Sequence, residues 1–335
     1  MLRLVQARTT LAPSTLTPAT PARATFACPA LAAAVLAAFL VAGDATASAA
    51  EPSVAEIENG YKRHAALAQL HRWYLLYEEP RYGIANQLDI LDPAITVASG
   101  LGTANGHEEY AARVRQLPTE WRNAHDVTDT KVDIAEDGSI ALTATVVYQN
   151  QGLLPDGAVR SADLTYTTEL VPTDGVLPKF TSIAIEQNSE GRAETFVSEY
   201  GDNRMLALVH YWLALIEDPR RDAAPVREIL ADGFTLNFSS GAITDFAAFE
   251  AWLAGPGSAV RASTHGIERF SQERLDDGTY RVTMEFPWNG ILRNEQQMLA
   301  RTKHTWIVED DPSKRFARIR RMDVEVLEPF RPKDG

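Results

Sequence analysis

The chain has 335 residues, of which 45% are hydrophobic and 23% charged, with one cysteine and a formal net charge of −13. This is enough apolar material for globular cores; one cysteine rules out a disulfide framework, and the acidic balance argues against a nucleic-acid partner. In chain order, residues 31–43 form an apolar run too short to span a bilayer. Arg3, Arg8 and Arg23 precede it, and small residues ending Ala47-Ser48-Ala49-Ala50 follow it. Residues 1–50 therefore read as a secretory signal peptide, without a twin Arg, that directs a periplasmic or secreted product. Its removal takes away three arginines and Asp44, leaving a charge of −15. Cys28 goes with it, so the mature chain offers neither a thiol nucleophile nor a Cys-ligated metal. No membrane association is expected once the leader is gone.

The rest is one pattern written twice. His71 to Pro80 and His210 to Pro219 align at an offset of 139, which also carries Leu91 to Val97 onto Leu230 to Leu236; one residue later, Asp137-Gly138 meets Asp277-Gly278. The boundaries drawn are 51–190 and 191–335. Each half opens on a helix whose apolar face carries Leu67, Leu70, His71, Tyr74 and Glu78, or Leu206, Val209, His210, Leu213 and Glu217, and ends at Pro80 or Pro219. A short helical segment, a strand (Ile95 to Ser99; Phe234 to Phe238) and a third helix (His107 to Val114; Phe246 to Leu253) come next. After each Asp-Gly turn the period becomes two: Ile140, Leu142, Ala144, Val146 and Tyr148 match Tyr280, Val282, Met284, Phe286 and Trp288. Further strands are predicted over Asp163 to Val171, Lys179 to Ile185, Arg301 to Val308 and Phe316 to Val326. Helices followed by an antiparallel sheet define an α+β class. Because alternating strands with two apolar faces must bury both, the halves are expected to pack sheet against sheet.

This layout, with an acid near the end of helix one, Ser263-Thr264-His265-Gly266-Ile267 opening a strand and Lys303-His304-Thr305-Trp306 in the penultimate one, resembles the nuclear transport factor 2-like superfamily. The nearer resemblance is to its polyketide cyclase and scytalone dehydratase-like (SnoaL-like) branch, over nearly the whole mature chain. It implies two tandem cone-shaped half-barrels, each with N-terminal helices packed on a curved antiparallel sheet, forming an intramolecular pseudo-dimer compatible with a further homo-oligomer.

Motifs for other chemistries fail. Gly100 to Gly106 is spaced wrongly for a dinucleotide loop, His107-Glu108-Glu109 lacks the second His of a zinc-protease helix, and no Gly-x-Ser-x-Gly elbow occurs. No metal or cofactor is implied. What remains is proton transfer by His and carboxylate. The resemblance implies pocket histidines at His265 and His304, with His125 and Tyr166 in the matching places of the first half. It also implies a cavity-facing acid among Glu78, Glu79, Glu217 and Asp218. Trp288, Phe286, Tyr148, Tyr166 and Asn237 are the candidate walls for a small-molecule ligand, while His71, His210, Trp73 and Trp212 read as packing. His304 favours the second half as the active one. The expected function is an exported, cofactor-independent lyase or isomerase, dehydratase- or cyclase-like, acting on a small apolar cyclic or aromatic molecule. A non-catalytic binding or interaction protein of the same fold is the rival, and a water-activating hydrolase using Asn237 a third reading.

Overall fold

Ser53 caps the first described helix: its hydroxyl accepts from the Glu56 amide while the Glu56 carboxylate accepts from the Ser53 amide. The computed structural model describes residues 51–333, so the leader lies outside the described residues. In the first half, α1 (Val54–Glu58) and α2 (Gly60–Glu78) lead through a 3-10 turn at Pro80–Tyr82 to α3 (Ile84–Asp89), β1 (Leu91–Ser99), β2 (Gly102–Asn105) and α4 (Gly106–Val114). The sheet is completed by β3 (Arg122–Ile134), β4 (Ile140–Gln151), β5 (Val159–Val171), β6 (Lys179–Gln187) and the short β7 (Gly191–Ala193). The second half repeats this with α5 (Tyr200–Glu217), β8 (Leu230–Phe238), β9 (Gly241–Ile243), α6 (Phe246–Ala254), β10 (Val260–His265), β11 (Glu268–Arg274), β12 (Tyr280–Leu292), β13 (Gln297–Glu309) and β14 (Arg318–Pro332). None of the described helices is long and apolar enough to cross a membrane.

Strand order proves the repeat. The first sheet runs β2-β1-β6-β5-β4-β3 and the second β9-β8-β14-β13-β12, with both β10 and β11 on β12 in the place of β3. The chain is thus two copies of one α+β fold, the layout of the nuclear transport factor 2-like resemblance. Both sheets are mixed rather than wholly antiparallel, because β1 joins β6, and β8 joins β14, in parallel. β1 and β8 each form a hairpin with the short strand that follows on one side, and the chain reaches the parallel neighbour on the other only after running through the rest of the sheet. β7 pairs with β5, so the first sheet extends to Ala193, past the boundary at 190. Both Asp-Gly turns are built alike. The Asp137 carboxylate accepts from the amide and hydroxyl of Ser139, Asp277 does the same for Thr279, and Gly138 and Gly278 sit at φ 85° and 83°.

The expectation of sheet-to-sheet packing is overturned: the halves meet through α2 and α5. A helix that packs its own sheet on one side and another helix on the other is buried all round, and α2 is buried from His64 to Leu76 without a polar face. The outward faces of the sheets remain wet. Ala141 and Thr143 are exposed, Thr145 and Val147 are half-buried, and Glu285 on the second sheet is held by Arg269 and Arg301. Hairpins reach across to lock the halves. Arg220 of the second half donates to the carbonyls of Asp174 and Gly175 in the first, and Asn86 of the first half donates to the Ser313 carbonyl in the second. Ala68 of α2 belongs to the second half's core cluster.

Candidate functional site

Each long helix ends in a glutamate that turns back onto the first strand after α4 or α6, namely β3 or β10. The Glu78 carboxylate accepts from the His125 amide at 2.9 Å and from His125 Nδ1 at 3.0 Å. Glu217 makes the same two bonds to His265, at 2.8 and 2.7 Å. Strand register confirms the equivalence, since His125 faces Tyr148 on β4 as His265 faces Trp288 on β12. Anchoring each ring through Nδ1 fixes its orientation and leaves Nε2 to meet whatever enters from outside.

Each pair is completed by the other half. Asn203 of α5 donates through Nδ2 to Glu78 and to the His125 carbonyl, and its Oδ1 accepts from His71 Nδ1–H. His64 of α2, the position equivalent to Asn203, lies 3.0 Å through Nε2 from the His265 carbonyl. A carbonyl only accepts, so Nε2 carries the proton; Nδ1 then accepts, and the 2.9 Å contact to His210 is a His210 Nδ1–H donation. His71 and His210 stack near the pseudo-symmetry axis with centroids 5.6 Å apart. Burial holds these rings neutral: it depresses His71 to about 4 and lowers both His64 and His210. Burial also pushes the Glu78 carboxyl well up and His125 down to about 3, against the hydrogen bonds that favour the Glu78 anion.

The remaining predicted residues fall in several places. His304 shares the helix-facing side of the second sheet with His265, but the buried Phe286 ring stands between them, 5.5 Å from one and 4.6 Å from the other. Both His304 nitrogens are occupied, Nε2 by Thr302 Oγ1 and Nδ1 by Trp306 Nε1–H, and burial depresses it to about 3. Tyr166 is its register equivalent and lies in the first core against Tyr74. Asp218 does not join Glu217; it turns away to accept from Arg220. Glu79 is likewise taken by Arg81 at the surface. Asn237 leaves the site altogether, because strand alternation puts it on the face opposite Leu236, where it donates to Asp323. Trp288 packs against Phe330, and Tyr148 stands 5.2 Å from His125 with its hydroxyl on Asn123.

A cleft of about 290 Å³ opens between the halves at the first pair. His71 and His125 form its floor, Asp126, Glu199 and Asp202 its acidic rim, and Val127, Leu206 and Phe270 an apolar side. Spacing had not singled out His64, Asn203, Glu199, Asp202 or Asp126. The signal for the first two was present: His64 lies two helical turns before His71 on the same face, and the 139-residue offset maps it onto Asn203.

No family model and no curated protein matches the chain. Among solved structures it is similar to a type 2 hexachlorocyclohexane dehydrochlorinase, with a TM-score of 0.35 and 15% identity over 41% of this chain and 92% of that one. The LinA-type3 dehydrochlorinase from Novosphingobium barchaimii gives 0.35 and 14% over 40% and 91%. ActVI-ORFA from Streptomyces coelicolor gives 0.29 and 14% over 36% and 96%. At such scores the chemistry rests on the site's own geometry.

Proposed function

We propose that the chain is an exported, cofactor-independent lyase or isomerase in which His125 moves a proton of a small molecule held in the cleft between the halves. The observation that carries this reading is a histidine more than nine-tenths buried, held through Nδ1 by Glu78, with Nε2 at the cleft and unpartnered among the described residues. A lone ring so depressed would be a weak base. Coupled to a carboxyl pushed upward, it gains proton affinity as a unit: Nε2 accepts the substrate proton while the Nδ1 proton shifts toward Glu78. The first half is favoured over the second because the His304 ring is already fully bonded and the cleft lies at His125. Export is supported by the apolar run over 31–43 and the cysteine-free remainder.

Binding without turnover is favoured by a different observation. The space between helices and sheet is packed with large rings, Trp73, Tyr110 and Tyr166 in one half and Trp212, Phe249 and Trp306 in the other. The two readings part in a screen of cyclic ketones and β-substituted carbonyl compounds for solvent deuterium uptake or elimination. His125→Ala and Glu78→Gln should lower any activity found by about 10²-fold or more, and His265→Ala should leave it standing. Activity lost in His265→Ala and kept in His125→Ala would overturn the assignment.

A further inference from the structure

The duplication supplies an internal comparison for the cleft. The two offsets carry Asp126 onto Gly266, Glu199 onto Gly60 and Asp202 onto Arg63, so three acids in one copy stand where the other has two glycines and an arginine. A fold that forms equally well without the acids does not require them. At the second copy the place is shut: a Cβ on Gly60 would lie 2.5 Å from Thr264 Oγ1 and 2.8 Å from Glu217 Oε2. Among the described residues, it is the first copy that combines an opening with negative charge.

We propose that the cleft binds a small organic cation, an ammonium group on an apolar body, and that this is the substrate class of the proposed reaction. The inference rests on reading this cleft as the substrate site. His71 and His125 are only 4% and 5% exposed, and each spends Nδ1 on a protein partner, leaving Nε2 without one among the described residues. With Nδ1 donating to Asn203 and to the Glu78 carboxylate, both free Nε2 atoms are lone-pair acceptors, and a ligand that meets two acceptors must bring donors. The carboxylates of Asp126, Glu199 and Asp202 ring the same opening, while Val127, Leu206 and Phe270 offer an apolar wall. Two acceptors, a ring of acids and an apolar wall at one opening together fit an organic donor.

The charge environment agrees. Glu199 is pushed up to about 7, first by burial and then by Asp202, Asp126 and Glu78. Burial and Asp126 also raise Asp202, opposed by a hydrogen bond from Gln272. The α5 N-terminus beside the cleft does not make it an anion site, because Glu199 and Asp202 already answer its partial positive charge. An arriving ammonium would relieve the mutual repulsion of the acids and drive Glu199 to ionise.

Calorimetric titration of the full chain with benzylamine, benzyl alcohol and benzoate at pH 7, in two buffers of different ionisation enthalpy, tests this. The amine should bind about tenfold or more tightly than the alcohol, benzoate most weakly, and amine binding should release a fraction of a proton and weaken with salt. Glu199→Gln should abolish the proton release, and Glu199→Gln and the surface variant Asp126→Asn should each erode the amine preference, with unchanged thermal midpoints showing that both fold. Equal affinities, preference for benzoate, no amine binding up to millimolar concentration, or a preference unchanged in both variants would overturn the proposal. Turnover is read separately in His125→Ala. Activity lost there without any cation preference sinks this inference alone, and cation preference without turnover sinks the catalytic reading alone.

Discussion

Asn203 does with one amide what His64 does with an imidazole ring: it accepts from a histidine two turns along the facing helix position and donates to the carbonyl of the paired strand histidine. Replacing it by leucine would strand the buried His71 Nδ1–H and take one donor each from the Glu78 carboxylate and the His125 carbonyl. Since an unsatisfied buried group costs about 1–3 kcal/mol, Asn203→Leu should lower unfolding stability by at least that range, read as a shift of the urea midpoint. Asn203→His should recover most of it, because the opposite half already accommodates a histidine at the same place; a histidine variant as unstable as the leucine one would refute the equivalence. The Glu–His pairs were legible as residue types at matching offsets. Their cross-half caps were not, because a buried polar residue on a helix looks like a solvent-facing one until its partner from another part of the chain is known.

At the level of elements, α2 was legible from its apolar spacing and its terminating proline, and the Asp-Gly turns from their dipeptides. The error lay in what covers the second face of the long helix. His64, Gln69 and Arg72 suggest a wet side, yet each is buried and bonded; Arg72 donates to Tyr82, Gln69 and Asp89 and lies over the Phe316 ring of the second half. The apolar alternation of β4 likewise suggested a covered outer face that is only partly covered. Gly60 shows how close the approach is. Although alanine is favoured over glycine in a helix by about 1 kcal/mol, Gly60→Ala must displace Thr264 and Glu217, an overpacking that costs about 1–3 kcal/mol. The thermal midpoint should therefore fall, whereas Gly100→Ala, with nothing within 4 Å of the added carbon, should leave it unchanged. A rise in Gly60→Ala would show that α2 has room to part from β10 and the end of α5.

For the whole molecule the buried histidines set the response to acid. His71, His125 and His304 are depressed to between about 3 and 4, and His64 and His210 are lowered too, so below pH 6.5 the unfolded chain takes up protons that the folded one refuses. Their stabilising effect is present above 6.5 and is lost as pH falls toward 4, by up to about 1.4 kcal/mol per pH unit for each ring. Glu199 and Asp202 act in the opposite sense, holding protons when folded that the unfolded chain gives up, so their contribution fades as pH rises. Five rings outweigh two carboxyls, and the urea midpoint should fall between pH 6.5 and 4.5; a flat or rising profile would mean that the rings are not held neutral. Because α2 and α5 share one interior, unfolding should also be a single transition by fluorescence and circular dichroism alike. Residues 51–190 alone should fail to give a cooperative transition, and an isolated, stably folded half would contradict the shared core.

The exchange of caps between α2 and α5 also orders events in time. While the chain is being made, Glu78 and His125 emerge long before Asn203, so the first pair stays without its cap until more than seventy further residues have followed. A truncated product that stops after the first sheet carries all the chemistry of that half and none of the support, which makes the second half a completeness check written into the first.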